Sequence, residues 1–389
     1  NVLYPADFIS EAIDQTRGWF YTLHAIGVLM EKGRAYKNVV CLGHILDKEG
    51  KKMSKSIGNI VNPWEMIDKY GVDTLRLWMY SVNQPGESKN FDERSLDEIQ
   101  KRVFNLLDNV YSFYELYRDK ECEVKEFKLE HRNVLDSWII MRSAQLTKEM
   151  TMNLEGYKLL EPVRALKGFI DDLSTWYLRR SRGRIKEGDR DAKRTLYFVL
   201  KKLSILLAPF APFAAEDLYQ KLRLSDDPES VHLESWPEVL KPGIFNLFNS
   251  GNKDKELLSQ MEETRRIVSI ALEARSKVNI KVRQPLQKLE VKSLKLGVEY
   301  REIIKDEINV KEVVDNTNLD EEIFLDTTLT PELIEEGKVR DAIRAVQEWR
   351  KEKSLKPGEK AEYKVAEQDK EFFSKHGEEI KRITNIEFN

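Results

Sequence analysis

The chain has 389 residues, of which 34% are charged and 41% apolar, with a formal net charge of −3. This balance is typical of folded domains and excludes a disordered chain, and the length allows two or three domains with separate cores. No stretch approaches the ~20 apolar residues that span a bilayer, and Cys41 and Cys122 are too few and too far apart for a disulfide framework or a zinc knuckle. We therefore expect a cytoplasmic protein without zinc and without a membrane anchor.

The N-terminal region mixes a helix with a short strand. A helix is predicted from Trp19 to Met30 after the turn at Gly18, and a buried strand from Asn38 to Gly43. His44 follows the carboxyl end of that strand. In open α/β sheets ligands bind at this end of the strands, so the polar segment beyond His44 is placed where a binding site is expected.

That polar segment is a lysine-rich loop with the sequence Gly-Lys-Lys-Met-Ser-Lys-Ser at residues 50–56. Lys52 and Lys55 offer compact, mobile charges, while Ser54 and the nearby glycines let backbone N–H groups approach a polyphosphate. Such a loop can stabilise the charge that builds on a leaving pyrophosphate. The alternative is a solvated surface turn.

A helix is predicted to begin directly after the loop. Asn62 is a suitable cap, Pro63 suits the first turn, and Glu65 can bond back to the cap. This helix should end at Gly71, and Asp73 begins another. The turn at 85–86 and the polar residues after it end the first predicted domain, which comprises residues 1–96.

The region from residue 97 to 242 has long helical periodicity. The apolar residues at spacings of three and four are Val103, Leu106, Leu107, Val110 and Phe113, then Leu159, Val163, Leu166, Phe169, Ile170 and Leu173, then Leu196, Val199, Leu200, Leu203 and Leu206. Long helices joined by short polar loops predict an antiparallel helical bundle.

The C-terminal part is predicted to be a small α+β domain over residues 255–389, after a linker at 243–255. A helix is expected at 255–277, strands at 289–291 and 308–310, and a last long helix that opens at Thr330-Pro331 and closes at Pro357-Gly358. The whole chain is thus expected to be mixed but mainly helical.

A second candidate site is the basic run at 176–186, which begins with Trp176 and Tyr177 and contains no acidic residue. Arginine forks bind phosphates and stack on bases, and aromatic rings support the splayed bases of single-stranded RNA loops. Two alternatives remain open at this point. The run is a solvated helical face, or Trp176 belongs to the core of the bundle.

Several of these segments together resemble class I aminoacyl-tRNA synthetases, and within that class the isoleucyl-tRNA synthetases. The Lys-Met-Ser-Lys-Ser run at 52–56 resembles a signature loop of the class, and residues 11–20 resemble the amino-acid pocket of the isoleucine enzymes, with Ala12 where glycine is usual. Further similar segments follow in the same order at 173–182, 207–213, 230–237 and 280–286.

The resemblance implies a fold and a set of roles. Residues 1–96 would be the last part of a Rossmann-like catalytic domain, 97–242 a bundle that binds the anticodon, and 255–389 a C-terminal appendage. ATP with Mg²⁺ and isoleucine tRNA are the implied cofactors and partner. The implied catalytic residues are Lys52 and Lys55; the implied site residues are Lys52, Ser54, Lys55 and His44 for ATP, Glu11, Asp14, Gln15 and Trp19 for the amino acid and its adenylate, and Trp176, Arg179, Arg180 and Arg182 for the anticodon.

Two parts of the family are not found in the sequence: the His-Ile-Gly-His signature and the inserted editing domain. We therefore expect the C-terminal segment of a longer isoleucine enzyme, monomeric, which binds tRNA but lacks complete activity alone. The alternatives are a non-enzymatic tRNA-binding module that descends from a synthetase, and a valine enzyme. The segment at 11–20 disfavours the valine enzyme, because the resemblance implies different residues there.

Overall fold

The computed structural model describes residues 4–124, 133–238, 251–355 and 359–388, without the side chains of 251–253. It is mainly helical, with 60% helix and 11% strand, which confirms the expected balance. The chain forms two compact units, one ending at Asp254 and the other beginning at Lys255. Across the part that is described, no helix combines the length and apolarity that crossing a membrane requires.

The first unit begins with a small α/β region. Its elements are β1 (Ala6–Ala12), α1 (Trp19–Leu29), β2 (Tyr36–Leu42), β3 (Ile45–Leu46), α2 (Pro63–Tyr70), α3 (Val72–Ser81) and β4 (Lys89–Asn90). β1 and β2 are parallel, with Glu11 opposite Cys41 and Ala12 opposite Leu42, and β3 is parallel to β4. The carboxyl ends of β1 and β2 therefore lie together at one edge.

The predicted helix start after the lysine loop is confirmed. The Asn62 side-chain oxygen accepts the backbone N–H of Trp64 at 3.1 Å, and its amide donates to Glu65 at 3.0 Å. α2 ends at Gly71, whose φ of +83° is a conformation that favours glycine. Both ends of this helix are thus set by residues inside it or directly next to it.

The expectation that the strand near residue 40 is buried is wrong. Val39 is 42% exposed and Leu42 is 39% exposed. A parallel strand is buried only when layers cover both of its faces. Among the residues that the structure describes, β1 is the only strand paired with β2, so the apolar side chains of β2 stay accessible.

The rest of the first unit is helical. It contains α4 (Glu93–Ile99), α5 (Asn105–Leu116), α6 (Val134–Glu155), α7 (Leu160–Asp171), α8 (Arg179–Lys186), α9 (Arg190–Leu207) and α10 (Pro212–Leu222). Two π-helical turns, at Gln100–Phe104 and Asp172–Leu178, join α4 to α5 and α7 to α8. α9 packs against α6 and α10, and its five predicted apolar residues are all at most 1% exposed.

Two side chains of α3 bind the segment that leads into α10. The carboxylate of Asp73 accepts the backbone N–H of Ala214 at 2.7 Å. The guanidinium of Arg76 donates to the carbonyl oxygens of Pro209 and Phe210, each at 3.2 Å. These bonds explain why the α/β region and the helices form one compact unit.

The second unit contains both helices and strands. Its elements are α11 (Gly251–Lys277), β5 (Leu286–Val291), α12 (Val298–Ile308), β6 (Val310–Asp315), β7 (Ile323–Leu325), α13 (Pro331–Glu352), β8 (Ala361–Tyr363), α14 (Lys370–Thr384) and β9 (Ile386–Phe388). β5 is central, parallel to β6 and antiparallel to β7, and β8 pairs with β9. Val339 and Val346 of α13 form a small core with residues of α14 and β9.

Three expectations for this unit need correction or fall outside the described residues. The strand expected from Ile308 begins instead at Val310, because α12 continues to Ile308 and Asn309 then takes a left-handed conformation with φ of +55°. α13 begins as predicted, with Thr330 as its cap, but α14 follows it and was not predicted. The Pro357-Gly358 stop and most of the 243–255 linker lie outside the described residues.

Candidate functional site

The lysine loop begins at the end of β3, the strand that pairs with β4. Lys52 forms an antiparallel bridge with Leu46, which returns the chain to the strand it has just left. The side chains of Lys52 and Lys55 are exposed, and within the described part of the chain neither pairs with a carboxylate. Two ammonium groups close in sequence and without an ion-pair partner favour an anionic ligand.

The tip of this loop is a single turn. The backbone N–H of Gly58 donates to the carbonyl of Ser54 at 3.1 Å, and the Ser54 hydroxyl accepts the N–H of Ile57 at 3.3 Å. The same hydroxyl lies 3.2 Å from that of Ser56. Gly58 closes the turn with φ of +73°. The turn therefore leaves Lys55 exposed, between two serines whose hydroxyls lie within hydrogen-bond distance of each other.

Two residues that the sequence analysis did not single out lie at the base of the loop. Asp47, which is 9% exposed, accepts the backbone N–H of Lys51 at 2.7 Å and the side-chain amide of Asn59 at 2.7 Å. The bond from Asn59 and the N–H of Lys51 hold the pKa of Asp47 below its ordinary value. The sequence signal that could have indicated Asp47 is Asp-x-x-Gly at 47–50, an arrangement that favours an Asx turn.

The segment predicted to hold the amino acid follows β1. Glu11 lies in the last part of β1 with an exposed side chain, which accepts the N–H of Ala12 at 3.0 Å. Gln15 donates to Asp14 at 2.9 Å and accepts the N–H of Trp19 at 3.0 Å, and this bond connects the turn to the start of α1. Trp19 is 45% exposed. All four side chains remain accessible, and the Gln15 bonds fix the conformation of the turn.

His44 is exposed and follows β2, so the strand pairing brings it to the same edge as Glu11. Its carbonyl accepts the N–H of Lys89 in β4 at 2.8 Å, which fixes its backbone beside the second sheet. This edge thus carries Glu11, which is predicted to bind the amino acid and its adenylate, and His44, which is predicted to bind ATP. The lysine loop begins a few residues after His44.

The second predicted site, the basic run, lies on α8 and the π-helical turn before it. Arg179, Arg182 and Lys186 are exposed and spaced by three and four residues, so they share one face of the helix. The guanidinium carbon of Arg182 lies 5.2 Å from the centre of the Phe113 ring, a cation–π contact. This face is a continuous positive stripe.

Other residues of the run lie inside the bundle. Trp176 is 7% exposed and Arg180 is half-buried. Arg184 bonds to Asp136, a carboxylate that is completely buried, at 2.6 Å. The ring of Trp176 is therefore packed among helices and presents no open face for a base in this structure, while the role predicted for it in tRNA binding stays a prediction.

No group of three or more His, Cys, Asp and Glu side chains suited to a metal ion occurs in the ranges that the structure describes. His44 and Glu11 lie at one edge but form no such set.

Comparison with known families assigns both regions. The family model for class I tRNA synthetases of the I, L, M and V type matches residues 1–92. The model for the anticodon-binding domain of tRNA ligases matches residues 136–291. The first match contains the lysine loop and the Glu11 segment, and the second contains the basic stripe.

Individual relatives agree with these models. The chain is 37% identical to the isoleucine–tRNA ligase of Clostridium tetani, over 92% of this chain and 35% of that protein. It is 42% identical to the isoleucine–tRNA ligase of Deinococcus radiodurans, over 80% of this chain and 29% of that protein. Among solved structures, the LeuRS chain of a ternary complex from Agrobacterium radiobacter covers 61% of this chain at 21% identity, with a TM-score of 0.49. The chain spans about a third of the length of the curated relatives.

Proposed function

We propose that this chain, which is homologous over most of its length to isoleucine–tRNA ligases of the class I aminoacyl-tRNA synthetases, is the C-terminal segment of such a ligase. The parent protein would attach isoleucine to its tRNA at the expense of ATP. The observation that carries this proposal is the exposed lysine loop with Lys52 and Lys55, found within the residues that match the class I model.

In the proposed first step, the carboxylate of isoleucine attacks the α-phosphate of ATP, an acyl–phosphate bond forms, and pyrophosphate leaves with the electron pair of the broken bond. Lys55 and Lys52 stabilise the negative charge of that pyrophosphate, and Ser54 donates a hydrogen bond to it. Mg²⁺ bound to the ATP phosphates would add positive charge at the same place. His44 lies at the edge from which the loop extends and would contact the nucleotide.

The residues after β1 would hold the other half of the substrate. Glu11 accepts hydrogen bonds from the ribose hydroxyls of the adenylate, because a carboxylate is an acceptor for two such donors. Asp14 and Gln15 face the ammonium group of the amino acid. Trp19 offers an apolar wall for the branched side chain. An apolar wall separates isoleucine from valine by only about 1–3 kcal/mol, a limit for which this enzyme family is the standard example.

For tRNA, the proposal assigns the phosphate contacts to the exposed stripe on α8. Arg179 and Arg182 lie on its accessible face, and Arg180 flanks them. Guanidinium groups bind phosphates with two parallel hydrogen bonds, and each phosphate contact adds to the salt dependence of binding. Trp176 acts from the core, beneath Arg179, whose guanidinium lies 6.0 Å from its ring.

The chain alone would bind tRNA without activating isoleucine. Support comes from the apolar side chains left accessible in β2 and α1, since a parallel sheet of a catalytic domain is normally covered on both faces. ATP–pyrophosphate exchange by the isolated chain above the background rate would contradict this part of the proposal. The alternative is a tRNA-binding module without a catalytic parent, and the reading frame upstream of residue 1 separates the two. A His-Ile-Gly-His signature there supports the enzyme.

The experiment that tests tRNA recognition compares isoleucine tRNA with the same tRNA carrying a replaced anticodon. Binding is measured at two salt concentrations, because phosphate contacts weaken steeply with salt whereas a preference between two RNAs persists as a ratio. We expect tighter binding of the native anticodon. The double variant Arg179→Ala/Arg182→Ala should weaken the binding of both RNAs. It should also reduce the slope of log K against log salt by the amount expected for about two phosphate contacts.

A matched control is Arg344→Ala, which removes an exposed arginine paired with Glu348 in the second unit. It should leave the affinity within about twofold, since an exposed ion pair contributes little. Equal binding of the two tRNAs, with no effect of the arginine pair, would contradict the assignment of the stripe.

A further inference from the structure

A closed network of hydrogen bonds joins the two ends of the lysine loop. One oxygen of Asp47 accepts the backbone N–H groups of Glu49 and Lys51, at 3.1 and 2.7 Å. Its other oxygen accepts the side-chain amide of Asn59 at 2.7 Å. The side-chain carbonyl of Asn59 then accepts the backbone N–H of Ser54 at 2.9 Å. Asp47 and Asn59 together are named the loop clamp below.

The loop clamp reaches both lysine positions through the backbone. The amide of Asn59 also donates to the carbonyl of Lys52 at 3.3 Å. Ser54, which the clamp holds by its N–H, opens the turn that carries Lys55. The clamp thus fixes the chain at residues directly adjoining Lys52 and Lys55, while both ammonium groups remain exposed.

The chemical identities of the clamp residues are matched to each other. Asp47 has only acceptors, and Asn59 presents its donor to Asp47 and its acceptor to the N–H of Ser54. Reversing the Asn59 amide would place a carbonyl against the carboxylate and a donor against a donor. The network therefore admits one orientation of Asn59, and that orientation defines the loop conformation.

We propose that Asp47 and Asn59 are positioning residues of the lysine loop, which hold Lys52 and Lys55 at the spacing that binds the phosphate chain of a nucleoside triphosphate or pyrophosphate. The phosphate ligand rests on the function proposed above. The ordering of the loop by the clamp does not, because it follows from the hydrogen bonds alone.

Three variants test the clamp. Asp47→Asn leaves a donor facing a donor, whichever way Asn59 is turned, and Asn59→Asp sets two carboxylates against each other. The swap Asp47→Asn/Asn59→Asp restores the pattern: the new amide donates to the new carboxylate, which still accepts the N–H of Ser54. The swap turns the 3.3 Å contact from Asn59 to the Lys52 carbonyl into two facing acceptors, so its rescue is expected to be near-complete and not full. A role that needed the carboxylate at residue 47 itself would not be rescued by this exchange, because the swap moves the charge to residue 59.

The measurement uses the full chain. Trypsin cleaves after lysine, so the rate of cleavage after Lys51, Lys52 and Lys55, followed by mass spectrometry, reports how often the loop opens. Each single variant should be cleaved at least about fivefold faster than the natural chain, since leaving a buried polar group unpaired shifts the local equilibrium by that order. The swap should return the rate to within about twofold. Asp68→Asn, a change of an exposed carboxylate, should have no effect.

The phosphate role is read in the same assay with inorganic pyrophosphate as the probe. Pyrophosphate should slow cleavage of the natural chain and of the swap, and should protect the single variants at least about fivefold less. Equal cleavage of all variants, or single variants that the swap does not rescue, would overturn the clamp.

A rescued loop that pyrophosphate does not protect would overturn the phosphate role alone. It would leave the tRNA measurement on the arginine stripe unaffected. The failure of this inference and the failure of the proposed tRNA binding are therefore distinguishable.

Discussion

The α/β region at 4–92 and the helices at 93–238 lie in the same compact unit, yet the apolar side chains of β2 and α1 are largely exposed while those of α9 are buried. Leu29 of α1 is 82% exposed and Tyr21 is 67% exposed, whereas Leu196 and Leu200 of α9 are fully buried. The helical region forms its core from its own residues. The α/β region carries the lysine loop and the Glu11 segment on a surface that its own residues leave uncovered. Stability and chemistry are therefore expected to respond to mutation in different regions.

The largest effect on stability should come from breaking the buried ion pair of the helical region. Asp136 is fully buried and bonds to Arg184 at 2.6 Å and to the Tyr177 hydroxyl at 2.8 Å. Asp136→Ala leaves the guanidinium of Arg184 with the partly exposed carboxylate of Asp189 and removes the 2.8 Å acceptor of the buried Tyr177 hydroxyl. It should lower the free energy of unfolding by about 3–5 kcal/mol. Denaturant unfolding measures this. Asp171→Ala, at an exposed position one turn before Thr175, should change it by less than about 0.5 kcal/mol.

A pair of leucine variants compares the two regions directly. Leu200→Ala in α9 should cost about 2–5 kcal/mol, because it opens a cavity among fully buried neighbours. Leu29→Ala in α1 should cost less than about 1 kcal/mol, because that side chain is already mostly in water. Similar losses at both positions, measured by the same unfolding assay, would contradict the comparison.

A buried lysine in the helical region makes stability depend on pH. Lys202 is 9% exposed, and burial lowers its pKa from 10.5 to about 8. Between these values the unfolded chain binds more protons, so the free energy of unfolding rises with pH through this window, by about 2–3 kcal/mol from this group. Lys202→Met should be more stable than the natural chain at pH 7, and the difference should vanish near the upper end of the window. Lys186→Met, at an exposed position, should show no such pH-dependent difference.

The smallest effect on stability is expected in the lysine loop, whose residues have the largest proposed effect on the reaction. Lys55→Ala should change the free energy of unfolding by less than about 0.5 kcal/mol, since the side chain is exposed. In the complete parent enzyme the same change should slow adenylate formation by about 10²-fold or more and leave tRNA affinity nearly intact. ATP–pyrophosphate exchange and tRNA binding measure the two quantities. A loss of stability instead would assign Lys55 a structural role.

Local signals were sufficient to predict several elements. The cap, first turn and stop of α2 depend on Asn62, Glu65 and Gly71, which all lie within ten residues of one another. The apolar stripe of α9 has the period of a helix, and its members are buried. The lysine loop follows the end of β3, and the binding role predicted for it stays a prediction.

Other features depend on contacts that a single sequence does not display. The exposure of β2 follows from which strands lie beside it, not from its own apolar residues. Asn309 ends α12 in a left-handed conformation, so the expected strand at 308–310 was shifted to Val310. The partnership of Asp47 and Asn59 joins residues twelve positions apart through side chains, and only the Asx-turn half of it has a local signal.

The π-helical turn at Asp172–Leu178 allows the number of residues before α8 to change without changing the direction in which the basic stripe faces. Each hydrogen-bonded turn of π-helix holds one residue more than an α-helical turn. A chain one residue shorter here could continue as a regular α-helix and still present Arg179 and Arg182 on the same face. We therefore expect the deletion of a single residue to be tolerated at this turn, whereas the same change inside α8 would rotate part of the basic stripe by about 100° relative to the rest.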